Sequence, residues 1–338
     1  MLLKFIQQRK SRNQGNLPRK IGKKWSIGLF TGDPLESLKP YSGNPIITSA
    51  DISDCRASFV ADPFLLQKEK NYYLFFEILN KDSGRGEIGL AISPDGQDWQ
   101  YEGLILQEDV HLSYPLVFQH QGEHFMLPEM SRARKVVLYR AVNFPGNWEA
   151  FQELSLPSRP YRDSTLLQYQ ERWWLFTTWD DTRLYLYSSQ DLLADNWEAH
   201  PANPVARGRY ARPAGRMLQL NNKIYRLAQD PLPGYGSRVM LHEIQKLNRK
   251  KYQEILLGPY LTPGGGGWNA HRMHHADFHY PAPKALREGE GNWLVIADGY
   301  QEVLNLDSLE VRYRQLRNFG RKQLTLRRKK YPSRGRPV

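Results

Sequence analysis

The chain has 338 residues, 40% hydrophobic and 24% charged, with one cysteine and a net charge of +12. That length suits one large globular domain or two small ones. Every stretch of 18 residues carries charged or polar groups, and the start already holds Lys4, Arg9 and Lys10, so neither a membrane span nor an export signal is read. The expectation is a soluble, cytoplasmic protein, with Cys55 unable to form an internal disulfide and no zinc-finger spacing of Cys and His.

The charge is unevenly placed. Residues 1–24 hold 8 Lys/Arg and residues 311–338 hold 11, with no acidic residue in either, whereas residues 25–310 carry 28 basic against 35 acidic residues. A nucleic-acid reader wants basic and aromatic residues mixed on a folded face, and here the excess sits in flanks such as Arg327-Arg328-Lys329-Lys330. These flanks read as disordered tails able to touch an anionic membrane surface, at about 1 kcal/mol per basic residue. No specific nucleic-acid partner is expected.

Between the tails a unit repeats. Phe59-Val-Ala-Asp62-Pro leads through Tyr72-Tyr-Leu-Phe-Phe-Glu77 and Ile88 to Ser93, and ends at Trp99. The same order of parts runs from Tyr114-Pro through His124 to Glu129 and Val136 to Ala141, ending at Trp148. A third copy runs from Arg162-Asp163 through Trp173 to Thr178 and Leu184 to Ser189, ending at Trp197. A looser fourth copy opens at Arg212 and continues through Ile224 to Gln229. An irregular fifth uses His274-His275-Ala-Asp277 and Trp293 to Asp298. From Asp62 to Tyr114, Asp163 and Arg212 the period is 52, 49 and 49 residues. That spacing fits four short strands with turns and is too long for a two-helix repeat. The aromatic, β-branched and alternating runs support an all-β fold, a five-bladed β-propeller over residues 25–310, with Trp25 to Phe30 helping to close it.

In the first three units the residue opening the inner strand and the residue closing the next are 15 apart: Asp62 and Glu77, Tyr114 and Glu129, Asp163 and Thr178. Antiparallel strands put those two ends at one edge. Asp62, Glu77, Glu129 and Asp163 are therefore expected to face the central mouth, as candidate general acid, base and stabilising groups for work on a glycosidic bond. Arg162 beside Asp163 would keep that carboxylate ionised. His111, Tyr114, Arg162, Arg212, His274, His275 and Asp277 are expected to line the same mouth and bind substrate, with Arg212 suited to phosphate. His271, Arg216 and Arg238 are expected near it. No metal or other cofactor is expected, because the His/Asp group matches no closed zinc motif. The run Gly264 to Gly267 lacks the trailing Lys-Ser/Thr of a phosphate loop. Trp99, Trp148 and Trp197 read as packing residues, and Trp179, Trp268 and Tyr235 as candidates to stack on a sugar.

The strings Trp25-Ser-Ile-Gly, Asn44-Pro-Ile-Ile-Thr, Phe59-Val-Ala-Asp-Pro-Phe, His111-Leu-Ser-Tyr-Pro, Pro128-Glu129 and Ala211-Arg-Pro-Ala-Gly together resemble the N-terminal domain of plant glucosamine inositolphosphorylceramide transferase and its bacterial relatives. In the plant proteins the glycosyltransferase module is a separate C-terminal domain. More distantly the plan resembles the five-bladed glycosidases of the invertase, levansucrase and arabinanase type. That resemblance implies Asp62 as first-blade nucleophile or base and Asp163 as third-blade stabiliser. It also implies a fourth-blade Glu as acid, but Arg212 stands at that position, which leaves Glu129 or Glu77 to donate the proton. Three functions stay open: an enzyme cleaving or transferring a glycosidic bond, on a phosphate-bearing sugar or glycolipid; a non-catalytic carbohydrate-binding propeller serving a partner glycosyltransferase; and a protein scaffold.

Overall fold

In a computed structural model of the chain, residues 21–280 and 293–304 are described. The acid-free tails lie, apart from residues 21–24, outside them. Strands β1 (Ile21–Asp33) and β2 (Ser37–Pro40) come first. They are followed by β3 (Ala57–Lys68), β4 (Asn71–Asn80), β5 (Arg85–Ser93) and β6 (Gln100–Leu106), which form one antiparallel blade. The next blade is β7 (Ser113–His120), β8 (Glu123–Glu129), β9 (Val137–Asn143) and β10 (Asn147–Glu153). The third is β11 (Arg162–Tyr169), β12 (Arg172–Thr178), β13 (Arg183–Ser189) and β14 (Glu198–Ala199), with β15 (Ala206–Arg207) also on β13. The fourth is β16 (Leu218–Leu220), β17 (Lys223–Asp230), β18 (Arg238–Leu247) and β19 (Tyr252–Leu261). In the fifth, the inner strands β20 (Ala276–His279) and β21 (Trp293–Leu304) come from the end of the propeller and the outer strands β1 and β2 from its start. The expected five-bladed β-propeller is thus the fold, and Trp25 to Phe30 do help to close it.

Strands buried on both faces explain the near-continuous apolar runs in the sequence. Each seam between blades holds an apolar cluster. Ile27 and Leu29 of β1 pack with Val60 of β3 and Ile296 of β21 across the closing seam, all fully buried. Leu167 and Phe176 meet Met217 and Ile224 between the third and fourth blades. The blade-ending tryptophans do pack. Trp99 and Trp148 donate their indole N–H to the turns before them, at 3.0 Å to the Gly96 carbonyl and 2.8 Å to that of Pro145, and Trp197 is buried.

One device recurs on the inner strands. Asp62, Tyr114 and Asp163 adopt left-handed backbone, with φ of +51°, +49° and +45°, each inside a register shift of its first hairpin. A left-handed residue in a bulge is costly for a non-glycine side chain and re-aims it. The repeat of 52 and 49 residues therefore repeats a bend, and it is this bend that positions the mouth residues.

Candidate functional site

Four carboxylic acids gather where the sequence places them. Asp62, Glu77, Glu129 and Asp163 are all nearly buried at the mouth ends of the first three blades. The bulge adds one residue to each hairpin, so the ladder pairs Ala61 with Glu77, Ser113 with Glu129, and Arg162 with Thr178. Carboxylates link one blade to the next through backbone amides: Asp298 accepts the Asp62 N–H (3.1 Å), Asp62 that of Tyr114 (3.3 Å), and Glu129 that of Asp163 (3.0 Å).

Glu129 and Asp163 have opposite protonation states. Burial, together with the Asp163 charge, pushes Glu129 up to about 8. Burial also works to raise Asp163, but the Arg212 charge, the Arg212 hydrogen bonds and a hydrogen bond from Glu129 outweigh it and hold Asp163 below its ordinary value. Arg212 donates from Nε to Asp163 Oδ2 at 2.6 Å, and Gln229 donates its amide to the same oxygen at 2.7 Å.

The partner expected for Asp163 is thus corrected. Arg162 does not hold it, because the Arg162 guanidinium lies 2.6 Å from Asp181 on the loop after β12. Arg212 in turn has no free fork for phosphate: its other nitrogens face Asp181 at 3.5 Å and Glu129 at 3.9 Å.

On the closing seam, Asp298 lies 2.7 Å from His274 Nδ1, and His274 Nε2 lies 3.5 Å from Asp62 Oδ1. Burial alone would neutralise the ring, but Asp298 keeps His274 cationic up to about 9. Burial dominates at Asp62, whose carboxyl is raised well above its ordinary value despite the nearby His274 charge. Ligand atoms of Asp62, His274 and Asp298 all lie within 4.8 Å of one another, so among the described residues these three could hold a cation. A metal there would have to displace the His274 proton.

At the first blade, Glu77 meets His111 Nε2 at 3.2 Å while His111 Nδ1 accepts the Gly86 N–H. That carboxylate raises the His111 pKa against the effect of burial.

Three expected mouth residues are buried in contacts between blades. Tyr114 is fully buried, its hydroxyl bonded to Thr165 and accepting the Gly215 N–H, so it ties the second blade to the third and fourth. His275 bonds the Pro63 carbonyl and is driven down to about 4 by burial, which leaves it neutral. Asp277 accepts the Leu65 N–H and pairs with Arg216, which also reaches the Val117 carbonyl across the channel. These groups are engaged in tying the inner strands of different blades to one another.

Of the stacking candidates, Trp268 packs on the bare backbone of Gly28 and Gly299, where an added Cβ would meet its ring at 2.3 and 2.4 Å. Trp179 stacks on Tyr185. Tyr235 alone of the three stands 48% exposed, edge-on to His274 and with Arg212 5.3 Å from its ring centre. Sequence reasoning gave no role to Asp298, Gln229 or Asp181. The first two stand sixth in the second-strand runs 224–229 and 293–298, as Glu77 and Glu129 do in 72–77 and 124–129, and that position was the available signal.

Among solved structures the fold is similar to a putative glycoside hydrolase from Bacteroides ovatus, with a TM-score of 0.56 and 11% identity over 80% of this chain and 96% of that one. It is also similar to the α-L-arabinofuranosidase PaAbf62A from Podospora anserina, with a TM-score of 0.53 and 12% identity over 84% of this chain and 98% of that one. At such identities the likeness is one of fold. In sequence the chain is 35% identical over 321 residues to glucosamine inositolphosphorylceramide transferase 1 of Oryza sativa subsp. japonica, covering 86% of this chain and 41% of the relative. The Arabidopsis thaliana protein of the same name is 35% identical over 304 residues, 81% of this chain and 39% of that one. The chain thus spans about two fifths of the length of these relatives. Residues 20–300 match the family described as glucosamine inositolphosphorylceramide transferase 1, N-terminal, and the chain belongs to that family.

Proposed function

We propose that the mouth of this propeller binds a carbohydrate and acts on one of its glycosidic bonds, by hydrolysis or transfer. The carrying observation is the Glu129–Asp163 pair: a carboxylic acid that keeps its proton at neutral pH beside a carboxylate that has lost its own. Pairs whose environments drive their protonation apart divide the acid and charge-stabilising roles of glycoside chemistry. In this reading Glu129 gives its proton to the leaving oxygen. Asp163, locked by Arg212 and Gln229, offsets the positive charge that develops on the sugar. Asp62 is the base or nucleophile, its raised pKa making the ionised form a stronger base while thinning its population. The names of the relatives and of the structural neighbours support a carbohydrate ligand.

A second reading, a non-catalytic glycan-binding propeller serving a glycosyltransferase, is favoured by one observation. The Asp163 carboxylate is already engaged from both oxygens by Arg212, at 2.6 and 3.3 Å. Release of product from a glycoside and glycolipid library, measured for the parent and for Glu129→Gln, separates the two. Turnover in the parent that is lost in the variant supports the enzyme. Ligands bound equally by both proteins with no turnover establish the binding module.

A further inference from the structure

Arg209 and Arg238 share a single carboxylate. Asp230, fully buried at the end of β17, faces Arg209 Nη2 at 2.8 Å and Arg238 Nε at 3.2 Å with the same Oδ2. Its Oδ1 accepts the Leu232 N–H and its carbonyl accepts that of Ser237, which fixes the loop between them. One negative charge thus answers two positive ones, and the two side chains remain 44% and 37% exposed.

The pair adjoins, along the chain, the residues that hold Asp163. Gln229, the residue before Asp230, donates to Asp163, and Arg209 lies three residues before Arg212, which holds the same carboxylate. The loop after Asp230 carries the exposed Tyr235, its carbonyl accepting a hydrogen bond from Arg272 at 2.7 Å. A buried carboxylate that orients two guanidinium groups leaves their outer N–H donors aimed and partly ordered before any ligand arrives. Arg212, spent on Asp163, Glu129 and Asp181, cannot serve that purpose.

We propose that Arg209 and Arg238 form an anion-binding subsite on the fourth-blade rim, taking a phosphate or carboxylate carried by the glycan. The proposal rests on the reading above for the sugar and deepens it by naming the substrate class, an anionic rather than a neutral saccharide. Two oriented forks suit an oxyanion, and Tyr235, on the loop between Asp230 and Arg238, has an exposed ring that offers a face to the apolar side of a sugar.

Calorimetric titration of the full chain with inorganic phosphate, glucose 6-phosphate, glucuronate and glucose tests this. Phosphate should bind, weaken about tenfold in each of Arg209→Gln and Arg238→Gln, weaken with added salt, and be unchanged in Arg249→Gln, whose side chain pairs with Glu198. Each variant leaves Asp230 one arginine, and an unchanged melting temperature confirms an intact fold. Glucose 6-phosphate exceeding glucose identifies phosphate as the group read, and glucuronate exceeding both identifies carboxylate. No phosphate binding to the parent, or binding to both variants as tight as to the parent, overturns the subsite. Phosphate binding lost in the variants, with no saccharide adding affinity, keeps the subsite and removes the glycosidic reading. Sugar turnover indifferent to the anion and to both variants does the reverse.

Discussion

Glu129 Oε2 accepts the backbone N–H of Asp163 at 3.0 Å, and the left-handed backbone of Asp163 aims that N–H across the seam from the third blade to the second. The contact does two things. It joins two blades, and it brings a protonated and an ionised carboxyl together at the mouth, so removing either group should affect stability and chemistry differently.

Glu129→Gln keeps an acceptor for the Asp163 amide but cannot give up a proton. Turnover of a responsive glycoside should fall by about 10²- to 10⁴-fold with affinity retained. Steady-state kinetics with a separate binding measurement checks this, and equal loss of both would point to a damaged site instead. In the parent, activity should decline as pH rises through about 8, where Glu129 loses its proton.

Stability should also fall in that range. Glu129 is raised from 4.5 to about 8 and His274 from 6.5 to about 9, so the fold prefers both protonated. The Glu129 contribution is complete below 4.5 and lost as pH rises through about 8, while that of His274 is complete below 6.5 and lost through about 9. Asp163 and Asp298 are lowered and act in the opposite sense, so their contribution disappears only as pH falls through their depressed values. Denaturant midpoints should therefore drop between pH 6.5 and 9. His274→Gln, which leaves Asp298 facing no cation, should cost about 3–5 kcal/mol and flatten this slope.

Gly215 has φ of +136°, and a Cβ there would sit 1.7 Å from the Ala276 carbonyl oxygen, where the fourth blade meets the fifth. Gly215→Ala should destabilise the fold by about 3 kcal/mol or more. A thermal midpoint within a few degrees of the parent would show that the seam can yield.

The C-terminal tail gives a prediction of a different kind. Residues 311–338 carry 11 Lys/Arg and no acid, so their deletion should remove most low-salt adsorption to phosphatidylserine vesicles while sparing the melting temperature. Undiminished vesicle sedimentation would exclude the tail as the cause.

The repeat was legible because the first three blades reuse the same order of strand, turn and closing tryptophan, and the looser fourth and irregular fifth copies brought the count to five. The acids at the mouth followed from hairpin geometry, although the left-handed bulge at Asp62, Tyr114 and Asp163 moved each pairing by one residue. Partnership was not legible. Adjacent residues on a strand point to opposite faces, so Arg162 turns to Asp181 while Arg212, 49 residues further on, holds Asp163. Asp298 and Asp230 were missed for a related reason: their work is to hold residues of other strands, which sequence proximity does not display.

The most direct measurement is a carbon-13 NMR titration of the Glu129 side-chain carboxyl in glutamate-labelled protein, with Glu129→Gln identifying the signal. A midpoint near 8, with the group protonated at neutral pH, is the expected result. A midpoint near 4.5, the ordinary value for glutamate, would mean that Glu129 holds no proton to give, and the acid assignment would fall.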